Sequence, residues 1–520
     1  MHHSPFEEFQ YNSCVSRGIC SINPRILALQ TVLILFLRIY TRLIANLEIS
    51  IPIKNFILNT IAITINNPDF NENSFLFAIK NLREELPKII DKSSEELSTK
   101  EKDKLFEILE ETTDIVKAIK YGEKMLNRAQ KELSQEIRDL FNLFLVISKN
   151  LSINLLELES YNKTHPEAFN QILELIGQIN ITENNSKKLK EEISKAVKID
   201  IELMSLIRNA QEERYGKQTS KEVSYTTVPN KAVLVVGSNL RELENILDAL
   251  SECDIDVYTH DDMMLAHTFP KFAKYPRLKG QFGFGFENCL LDFATFPGPI
   301  ILTKNSLHNV ENFYRGRLFT TDYTTAPKGV VKIYNNDFSK VIESAYNSKG
   351  FKTGKHCESI KIGYEHENIT NKILEHLNKK TYKQVFIIGI DGHSLEQKTY
   401  FEKLTKLAPE NVLIITFSHT IEKENIININ TCFDYYAIIR IFEFVLNFNL
   451  PITVFIPKCE KNSISQMIYL SNIDKTKVYV GKCLPILLNP SLIKTLFLTF
   501  GIKSICTAKK DLEEILQNIV

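Results

Sequence analysis

Apolar residues recur at helical spacing in the first part of the chain and at strand spacing in the remainder. Between Ser21 and about Gln218 glycine is scarce, and the segment Lys131–Leu151 (KELSQEIRDLFNLFLVISKNL) has the pattern of one amphipathic helix. The apolar run Ile26–Leu37 is shorter than the roughly 20 residues that cross a bilayer, and arginines flank it, so it predicts a buried helix. The sequence therefore predicts an N-terminal helical domain.

Short β-branched runs alternate with helical patterns after Thr226. Such alternation is typical of parallel sheets whose strands are connected by helices. We therefore predict an α/β fold in which an N-terminal motif and helical domain, residues 1–222, precede two doubly wound, Rossmann-like parallel-sheet domains. The two α/β domains are predicted at residues 223–355 and 356–520, with Asn347–Lys355 (NSKGFKTGK) as the joint.

Charge and cysteine content narrow the classes of function. Lys plus Arg and Asp plus Glu both number 63, so no net field attracts nucleic acid or an anionic membrane, and neither partner is expected. The nine cysteines include no CxxC pair and no secretory signal is visible, which favours a reducing, cytoplasmic location. No P-loop, HExxH or GxSxG pattern supports phosphoryl transfer or hydrolysis.

Parallel sheets bind their ligands beyond the carboxyl ends of the strands. The residues that follow the predicted strands are therefore candidate site residues. The residues in this position are Ser238, Asp262, Ser306, Ile390, Ser418, Cys432 and Glu460.

Several segments resemble a known family. The clearest are Lys231–Leu240 (KAVLVVGSNL), Tyr258–Pro270 (YTHDDMMLAHTFP), Asp292–Ser306 (DFATFPGPIILTKNS), Tyr314–Thr321 (YRGRLFTT) and Pro451–Glu460 (PITVFIPKCE). The segment Cys14–Leu37 is similar to the second half of the family's iron–sulfur cysteine motif and the helix that follows it. By these segments the chain resembles the hybrid-cluster proteins, also called hydroxylamine reductases, which are related to carbon monoxide dehydrogenases.

The resemblance implies a specific set of metal ligands at these same strand ends. Periodicity and resemblance together therefore predict one crevice between the two α/β domains. In the family one histidine, two glutamates, four cysteines and a lysine hold an iron–sulfur–oxygen cluster that reduces hydroxylamine or nitric oxide. By this resemblance Cys432 and Glu460 retain a cysteine and a glutamate, and Asp262 is a shortened carboxylate. The other positions are changed: Ser238 replaces the histidine, Ser306, Ile390 and Ser418 (or its neighbour His419) replace cysteines, and Asn462 beside Lys461 replaces the lysine.

These changes argue against the conventional hybrid cluster, because a serine hydroxyl is a harder donor than a thiolate and iron–sulfur clusters are held by cysteine thiolates. The remaining metal-ligand candidates are Asp262, Cys432 and Glu460. A single zinc or iron ion that also uses His260 or His267 is an alternative. The competing interpretation is that Cys432 is a small buried hydrophobe, Glu460 a solvated loop residue and both histidines structural.

Cys14 and Cys20 match the family's C-x5-C spacing, but Met1–Ser13 lacks the CxxC expected upstream. Two thiolates cannot complete a four-cysteine iron–sulfur site. One interpretation is a homodimer in which both subunits contribute Cys14 and Cys20 to a bridging iron–sulfur cluster, as in the related carbon monoxide dehydrogenases; His2 and His3 are further candidate ligands. The other is an inert remnant of the motif.

Two further motifs favour structural roles. The loop Gly280–Gly285 (GQFGFG) has no strong strand before it, so nucleotide binding is not expected. Arg315 and Arg317 suit an oxyanion but equally suit ion pairs with carboxylates such as Asp322. Two functions remain: a divergent redox protein with an altered iron site, or a non-catalytic scaffold whose crevice binds a small ligand. The substrate and the electron donor are not predictable from this sequence.

Overall fold

The computed structural model describes the chain from Pro24 to Gln517 except for residues 45–46, 65–71, 91–98, 179–184, 284–287, 305, 307–310, 324–325, 390–394, 418–421, 430, 432–433, 435, 458–461 and 482–489. Several residues singled out from the sequence lie outside the described part, and predictions about them stay predictions. They are Cys14, Cys20, Ile390, Ser418, His419, Cys432, Glu460 and Lys461.

Helices account for the regular structure described up to Tyr215, as predicted. They are α1 (Pro24–Ile44), α2 (Ile51–Ala62), α3 (Glu72–Ile90), α4 (Thr99–Glu111), α5 (Ile115–Glu132), α6 (Gln135–Ser160), α7 (Pro166–Leu173) with a π-helical continuation (Glu174–Gln178), and α8 (Ser186–Tyr215). The helix α1 contains the apolar run Ile26–Leu37, most of which is buried.

The single helix predicted over Lys131–Leu151 is wrong at its start. The helix α5 ends at Glu132, and Ser134 caps α6 because its hydroxyl oxygen accepts a hydrogen bond from the backbone N–H of Ile137 at 3.3 Å. The apolar spacing continues across this break, which explains the error.

Two of these helices, α1 and α6, have the length and apolar composition of membrane-spanning helices. In α1 67%, and in α6 78%, of the most apolar window is buried inside the protein. Such burial is typical of core helices.

Two parallel sheets and a separate pair of antiparallel strands follow the helical region. The strands are β1 (Lys221–Ser224), β2 (Lys231–Val236), β3 (Ile255–His260), β4 (Leu278–Gln281), β5 (Ile300–Leu302), β6 (Leu318–Thr320), β7 (Val331–Lys332), β8 (Ser359–Ile362), β9 (Gln384–Ile388), β10 (Val412–Thr416), β11 (Ile426–Asn428), β12 (Ile452–Ile456), β13 (Thr476–Val480) and β14 (Lys503–Ser504). The helices are α9 (Leu240–Ala249), α10 (Cys289–Thr295), α11 (Ser339–Asn347), α12 (His366–Lys379), α13 (Leu395–Leu407), α14 (Tyr436–Leu446), α15 (Ser463–Ser471), α16 (Pro490–Phe500) and α17 (Ala508–Leu516).

Both sheets have the same doubly wound topology. The first sheet has the strand order β4-β3-β2-β5-β6-β7 and the second has β11-β10-β9-β12-β13-β14, with parallel pairing throughout. Each order reverses beside its first strand, as in the Rossmann fold. The switch points therefore lie between β2 and β5 and between β9 and β12, and the predicted fold class is confirmed.

Backbone pairing joins the segments around the two predicted domain boundaries. The strands β1 and β8 form a separate antiparallel pair, and single bridges join Thr227 to Lys355 and Asn230 to Phe351. The predicted joint therefore pairs with the segment that precedes β2. The domain boundaries at 222/223 and 355/356 stay a prediction.

The apolar core is arranged in layers. Alternate residues of β2 face opposite sides: Val233 and Val235 pack with α9, whereas Leu234 and Val236 pack with α10. In the second sheet one face shares a continuous core with the helical domain, and the other packs on α13 and α17. Because both faces are covered, the strands read as nearly continuous apolar runs.

Candidate functional site

The loops after β2 and β5 meet at the switch point of the first sheet. Gly237 follows β2 with φ of +124°, and a Cβ atom there would lie 2.1 Å from both the Ser306 and Thr303 hydroxyl oxygens. Only glycine permits this approach. The structure thus brings the loops that carry Ser238 and Ser306 together, as their positions after neighbouring strands predict.

These two serines have different environments. Ser306 is buried, and its Oγ lies 3.4 Å from the Thr303 hydroxyl and 3.4 Å from the Lys304 carbonyl oxygen. Ser238 is exposed. Hydroxyl oxygens therefore occupy both strand ends at this switch point.

Asp262 lies after the neighbouring strand β3, in a 3₁₀ helix (Asp261–Thr268), and is half-buried. The preceding residue, Asp261, has φ of +61°, a left-handed conformation that turns the chain sharply as the strand ends. Of the three proposed metal ligands, Asp262 is the one within the described structure.

Both histidines of this region have hydrogen-bond partners in the first domain. His260 is fully buried, with Nε2 3.0 Å from the Asp292 Oδ2, and His267 Nε2 lies 2.9 Å from the Thr259 hydroxyl. Burial lowers the pKa of His267 to about 4, so this imidazole is neutral at pH 7. These contacts support structural roles. Within the described residues, no three or more His, Cys, Asp and Glu side chains converge as a metal site would require.

Glu242 connects three strand-end loops of the first sheet. It lies in the first turn of α9, after β2, and its Oε2 accepts hydrogen bonds from the Lys304 backbone N–H at 2.8 Å and the Thr321 hydroxyl at 2.9 Å. The Lys304 Nζ is 3.5 Å from its other oxygen. Glu242 is buried, so these donors and the cation compensate the desolvation of its carboxylate.

A second carboxylate, in the helical domain, is influenced by the charge of Glu242. Glu157 on α6 is half-buried and accepts a long hydrogen bond, 3.4 Å, from the Gln211 side chain of α8. Burial, followed by the charge of Glu242, raises the pKa of Glu157 to about 7. The Tyr323 ring lies 5.7 Å from the Lys304 Nζ, and burial together with the charges of Glu242 and Glu157 raises the pKa of Tyr323.

The helix α8 also contacts both α/β domains. The Arg208 guanidinium donates to the two Asp434 carboxylate oxygens at 2.9 and 2.7 Å, and it lies over the Phe269 ring at 5.8 Å. Asp434 follows β11 and also accepts a hydrogen bond from the Ala437 N–H at the start of α14. Thus one buried arginine links the helical domain to the carboxyl-end regions of both sheets.

Most of the predicted ligand positions of the second sheet lie outside the described residues. Ile390 and Glu460 follow β9 and β12 in the sequence, and Ser418 and Cys432 follow β10 and β11, but all four lie outside the described residues. Asn462, at the family's lysine position, precedes the first residue of α15. The four strands are adjacent, as a shared site would require.

The other two motifs have structural partners. Gly283 has φ of +79°, and a Cβ there would lie 2.2 Å from the Asp292 carboxylate. Arg317 donates to the carbonyl oxygens of Gly298 at 3.0 Å and Phe293 at 2.6 Å. Arg317 is thus structural, but through backbone carbonyls rather than the carboxylate partners suggested by the sequence.

Sequence reasoning did not identify the charged group of Glu157, Glu242, Lys304 and Tyr323. These residues come from four separate segments and share no local motif. The one sequence signal was Glu242, an acidic residue in the first turn of the helix after β2. An acidic residue at that position ordinarily indicates a favourable interaction with the helix dipole.

The comparisons with known proteins place the chain in one family. A profile of the Prismane/CO dehydrogenase family matches residues 10–513. A hydroxylamine reductase of Zymomonas mobilis is 24% identical over 97% of this chain and 96% of its own length. Hydroxylamine reductases of Kosmotoga olearia and Thermodesulfovibrio yellowstonii are 32% and 27% identical over 62% of this chain, and these alignments span 63% and 64% of the relatives, under two thirds.

A solved structure of acetyl-CoA synthase/carbon monoxide dehydrogenase α subunits with NiZn[Fe4S4] and NiNi[Fe4S4] clusters is 12% identical, with a TM-score of 0.45 over 96% of this chain and 84% of that one. The match of the family profile to residues 10–513 is the decisive finding. The chain belongs to the Prismane/CO dehydrogenase family, which includes the hybrid-cluster proteins or hydroxylamine reductases.

Proposed function

We propose that this chain is a divergent hybrid-cluster-type protein that neither assembles the conventional hybrid cluster nor reduces hydroxylamine, and that it retains an altered iron–sulfur or metal site. The observation that carries the proposal is the donor set at the first switch point. Ser306, at a position where the resemblance implies a cysteine, is held by Thr303 and Lys304 against Gly237. Ser238 supplies a second hydroxyl.

These donors do not fit an iron–sulfur–oxygen cluster. Iron–sulfur clusters use thiolates, and an alcohol oxygen remains protonated at neutral pH unless a cation activates it. The contacts of Ser306 also leave it tightly packed, since Gly237 has no room for even one additional carbon atom. Donor chemistry and close packing at Ser306 thus both disfavour the conventional cluster.

Two places remain for metal. In the crevice the proposed ligands are Asp262, Cys432 and Glu460, which together offer oxygen and sulfur donors suited to zinc or iron. At the N-terminus Cys14 and Cys20 are the proposed ligands of an iron–sulfur cluster that a homodimer completes. Loss of a cluster in Cys14→Ala or Cys20→Ala would show that the N-terminal site holds it, and not the crevice.

The test is metal analysis after anaerobic purification, with iron, acid-labile sulfide and zinc measured per chain and hydroxylamine reduction assayed with a chemically reduced dye. We expect no hydroxylamine turnover. Metal lost in Cys432→Ala identifies the crevice, whereas metal lost in Cys14→Ala identifies the N-terminal site. Cys253→Ala is the matched control, because Cys253 precedes β3 and so lies at the amino ends of the strands, away from the carboxyl ends that carry the proposed ligands. Hydroxylamine turnover that requires Cys432 would overturn the proposal.

A non-catalytic role is the second candidate function. The charged groups Glu242 and Lys304 beside the first switch point support it, because polar groups at a switch point fit a crevice that binds a small ligand. A metal-free protein without turnover, stabilised on heating by a small-molecule ligand, would favour this role. Loss of that stabilisation in Lys304→Met would localise the ligand to the crevice.

A further inference from the structure

The helix α5 presents a row of cations to solvent. The exposed cations recur every three or four residues and are Lys117, Lys120, Lys124, Arg128 and Lys131. Side chains with this spacing share one face of a helix, so the row is about 21 Å long. Within the described structure Arg128 pairs with Glu132 at 2.8 Å, whereas the four lysines form no ion pair. All of the row except Lys117 also lines a surface groove of about 500 Å³.

The opposite face of α5 is fixed against α1. Ala118, Ile119 and Tyr121 are buried in the core to which α1 also contributes. A Cβ atom at Gly122 would lie 2.2 Å from the carbonyl oxygen of Ala28, near the start of α1, and only glycine permits so close an approach. The packing therefore buries the apolar face of α5 and holds the cationic row outward.

This contact places the cationic row near the N-terminal cysteine motif. Cys20 precedes Pro24 by four residues, and a chain extends by at most about 3.6 Å per residue, so Cys20 lies within about 14 Å of the first residue of α1. Ala28 lies about 6 Å further along that helix. Whatever path the intervening residues take, Cys20 is thus within about 20 Å of the place where α5 contacts α1.

We propose that this cationic row is the docking surface for a small acidic electron-transfer protein that reduces the N-terminal site. Carboxylates of the partner pair with the four lysines, and such charge complementarity speeds association and fixes the orientation of the partner. One electron passes from the reduced partner to the cluster, so the partner is oxidised, the cluster is reduced and no bond forms or breaks. The role as electron donor rests on the proposed cluster at Cys14 and Cys20, whereas the docking surface does not.

The surroundings of the row favour an acidic protein over other polyanions. A helix that lies on a membrane needs an apolar face that can enter the lipid, but the apolar face of α5 is packed on α1. Proteins that bind single-stranded nucleic acid stack its bases on aromatic side chains, and the one aromatic residue of α5, Tyr121, is buried. Glu123 and Glu132 flank the row and repel a continuous phosphate backbone, whereas the separate carboxylates of a protein can be placed to avoid them.

The test is binding of a plant-type two-iron ferredoxin, an acidic one-electron carrier, to the full chain by isothermal titration calorimetry. We expect Lys120→Gln/Lys124→Gln to bind about three- to tenfold more weakly than the wild type at low salt, because two exposed ion pairs are lost. Raising the salt from about 20 to about 200 mM should weaken wild-type binding and remove most of this difference. Both lysines are exposed, so the variant should keep the fold.

The matched control is Lys403→Gln/Lys406→Gln. These two lysines are exposed on α13, which packs on the second sheet, so this variant should bind ferredoxin as the wild type does. Equal weakening in both variants, or no binding of ferredoxin at low salt, would overturn the docking surface. Binding of the wild type to phosphatidylglycerol vesicles but not to ferredoxin would overturn it in favour of a membrane.

Iron and acid-labile sulfide, measured on the same samples, separate this inference from the proposed function. The expected binding pattern in a chain that contains iron and sulfide supports both. The same pattern in a chain without iron and sulfide supports the docking surface but overturns the N-terminal cluster, and with it the partner's role as electron donor. A chain that contains the cluster but binds ferredoxin equally well in both variants keeps the cluster and overturns the docking surface.

Discussion

Loss of Arg208 should destabilise the protein far more than loss of a nearby arginine in the same interface. Arg208 and Asp434 join α8 to the second α/β domain, and their side chains are only 7% and 0% exposed. Replacing Arg208 by methionine preserves much of its apolar volume beside Phe269 but leaves the Asp434 carboxylate buried without its cation. Breaking a buried pair in this way costs about 3–5 kcal/mol of unfolding free energy.

The matched control is Arg440→Met. Arg440 pairs with Glu212 at 2.7 Å and also joins α14 to α8, but these side chains are 26% and 17% exposed. Water and salt screen such a pair, so the expected loss is about 1 kcal/mol. Asp434→Asn in the Arg208→Met background removes the buried charge and keeps an acceptor for the Ala437 N–H, so it should restore part of the lost stability.

The assay is urea denaturation at pH 7 of the wild type, Arg208→Met, Asp434→Asn, the Arg208→Met/Asp434→Asn double variant and the control Arg440→Met. The double-mutant cycle isolates the interaction of Arg208 with Asp434. This expectation is wrong if Arg208→Met lowers the free energy of unfolding no more than Arg440→Met does. It is also wrong if adding Asp434→Asn destabilises Arg208→Met further.

Two further predictions follow from buried groups. Asp200 is fully buried and accepts a hydrogen bond from Asn154 at 2.7 Å, and burial raises its pKa from 3.8 to about 6. The free energy of unfolding of the wild type should therefore fall as the pH rises from 4 to 6, relative to that of Asp200→Asn. The expected loss is on the order of 2–3 kcal/mol. Thermal unfolding across pH 4–8 measures this, and a constant difference between the two proteins would contradict it. Gly237→Ala should cost about 1–3 kcal/mol because of its positive φ and its contacts with Ser306 and Thr303, whereas Gly316→Ala, with nothing within 4 Å of its Cβ position, should stay near wild type. Equal effects in urea denaturation would argue against close packing at the first switch point.

The fold was largely predictable because its signals are local. β-branched runs such as Lys231–Val236 predict strands, and their alternation with helical segments predicts two parallel sheets. The end of α5 was missed because the apolar spacing continues through it, while the decisive event is one hydrogen bond to Ser134. Periodicity reports the buried face of a helix and is insensitive to a short interruption.

The site was predictable only in part. That Ser238 and Ser306 would come together follows from their positions after strands that become neighbours at a switch point. The hydrogen bonds of Glu242 with Lys304 and Thr321 join segments that lie far apart in the sequence, and no local pattern specifies them. Arg208 likewise lies 226 residues from Asp434. Charge pairs between residues this far apart in the sequence are therefore visible only in the structure.

The most direct test of the central claim is the content of iron and acid-labile sulfide after anaerobic reconstitution, compared among the wild type, Cys432→Ala and Cys14→Ala. We expect that no four-iron cluster depends on Cys432, and that any iron–sulfur cluster present is lost in Cys14→Ala. A full cluster that disappears in Cys432→Ala, together with hydroxylamine turnover by the wild type, would contradict it.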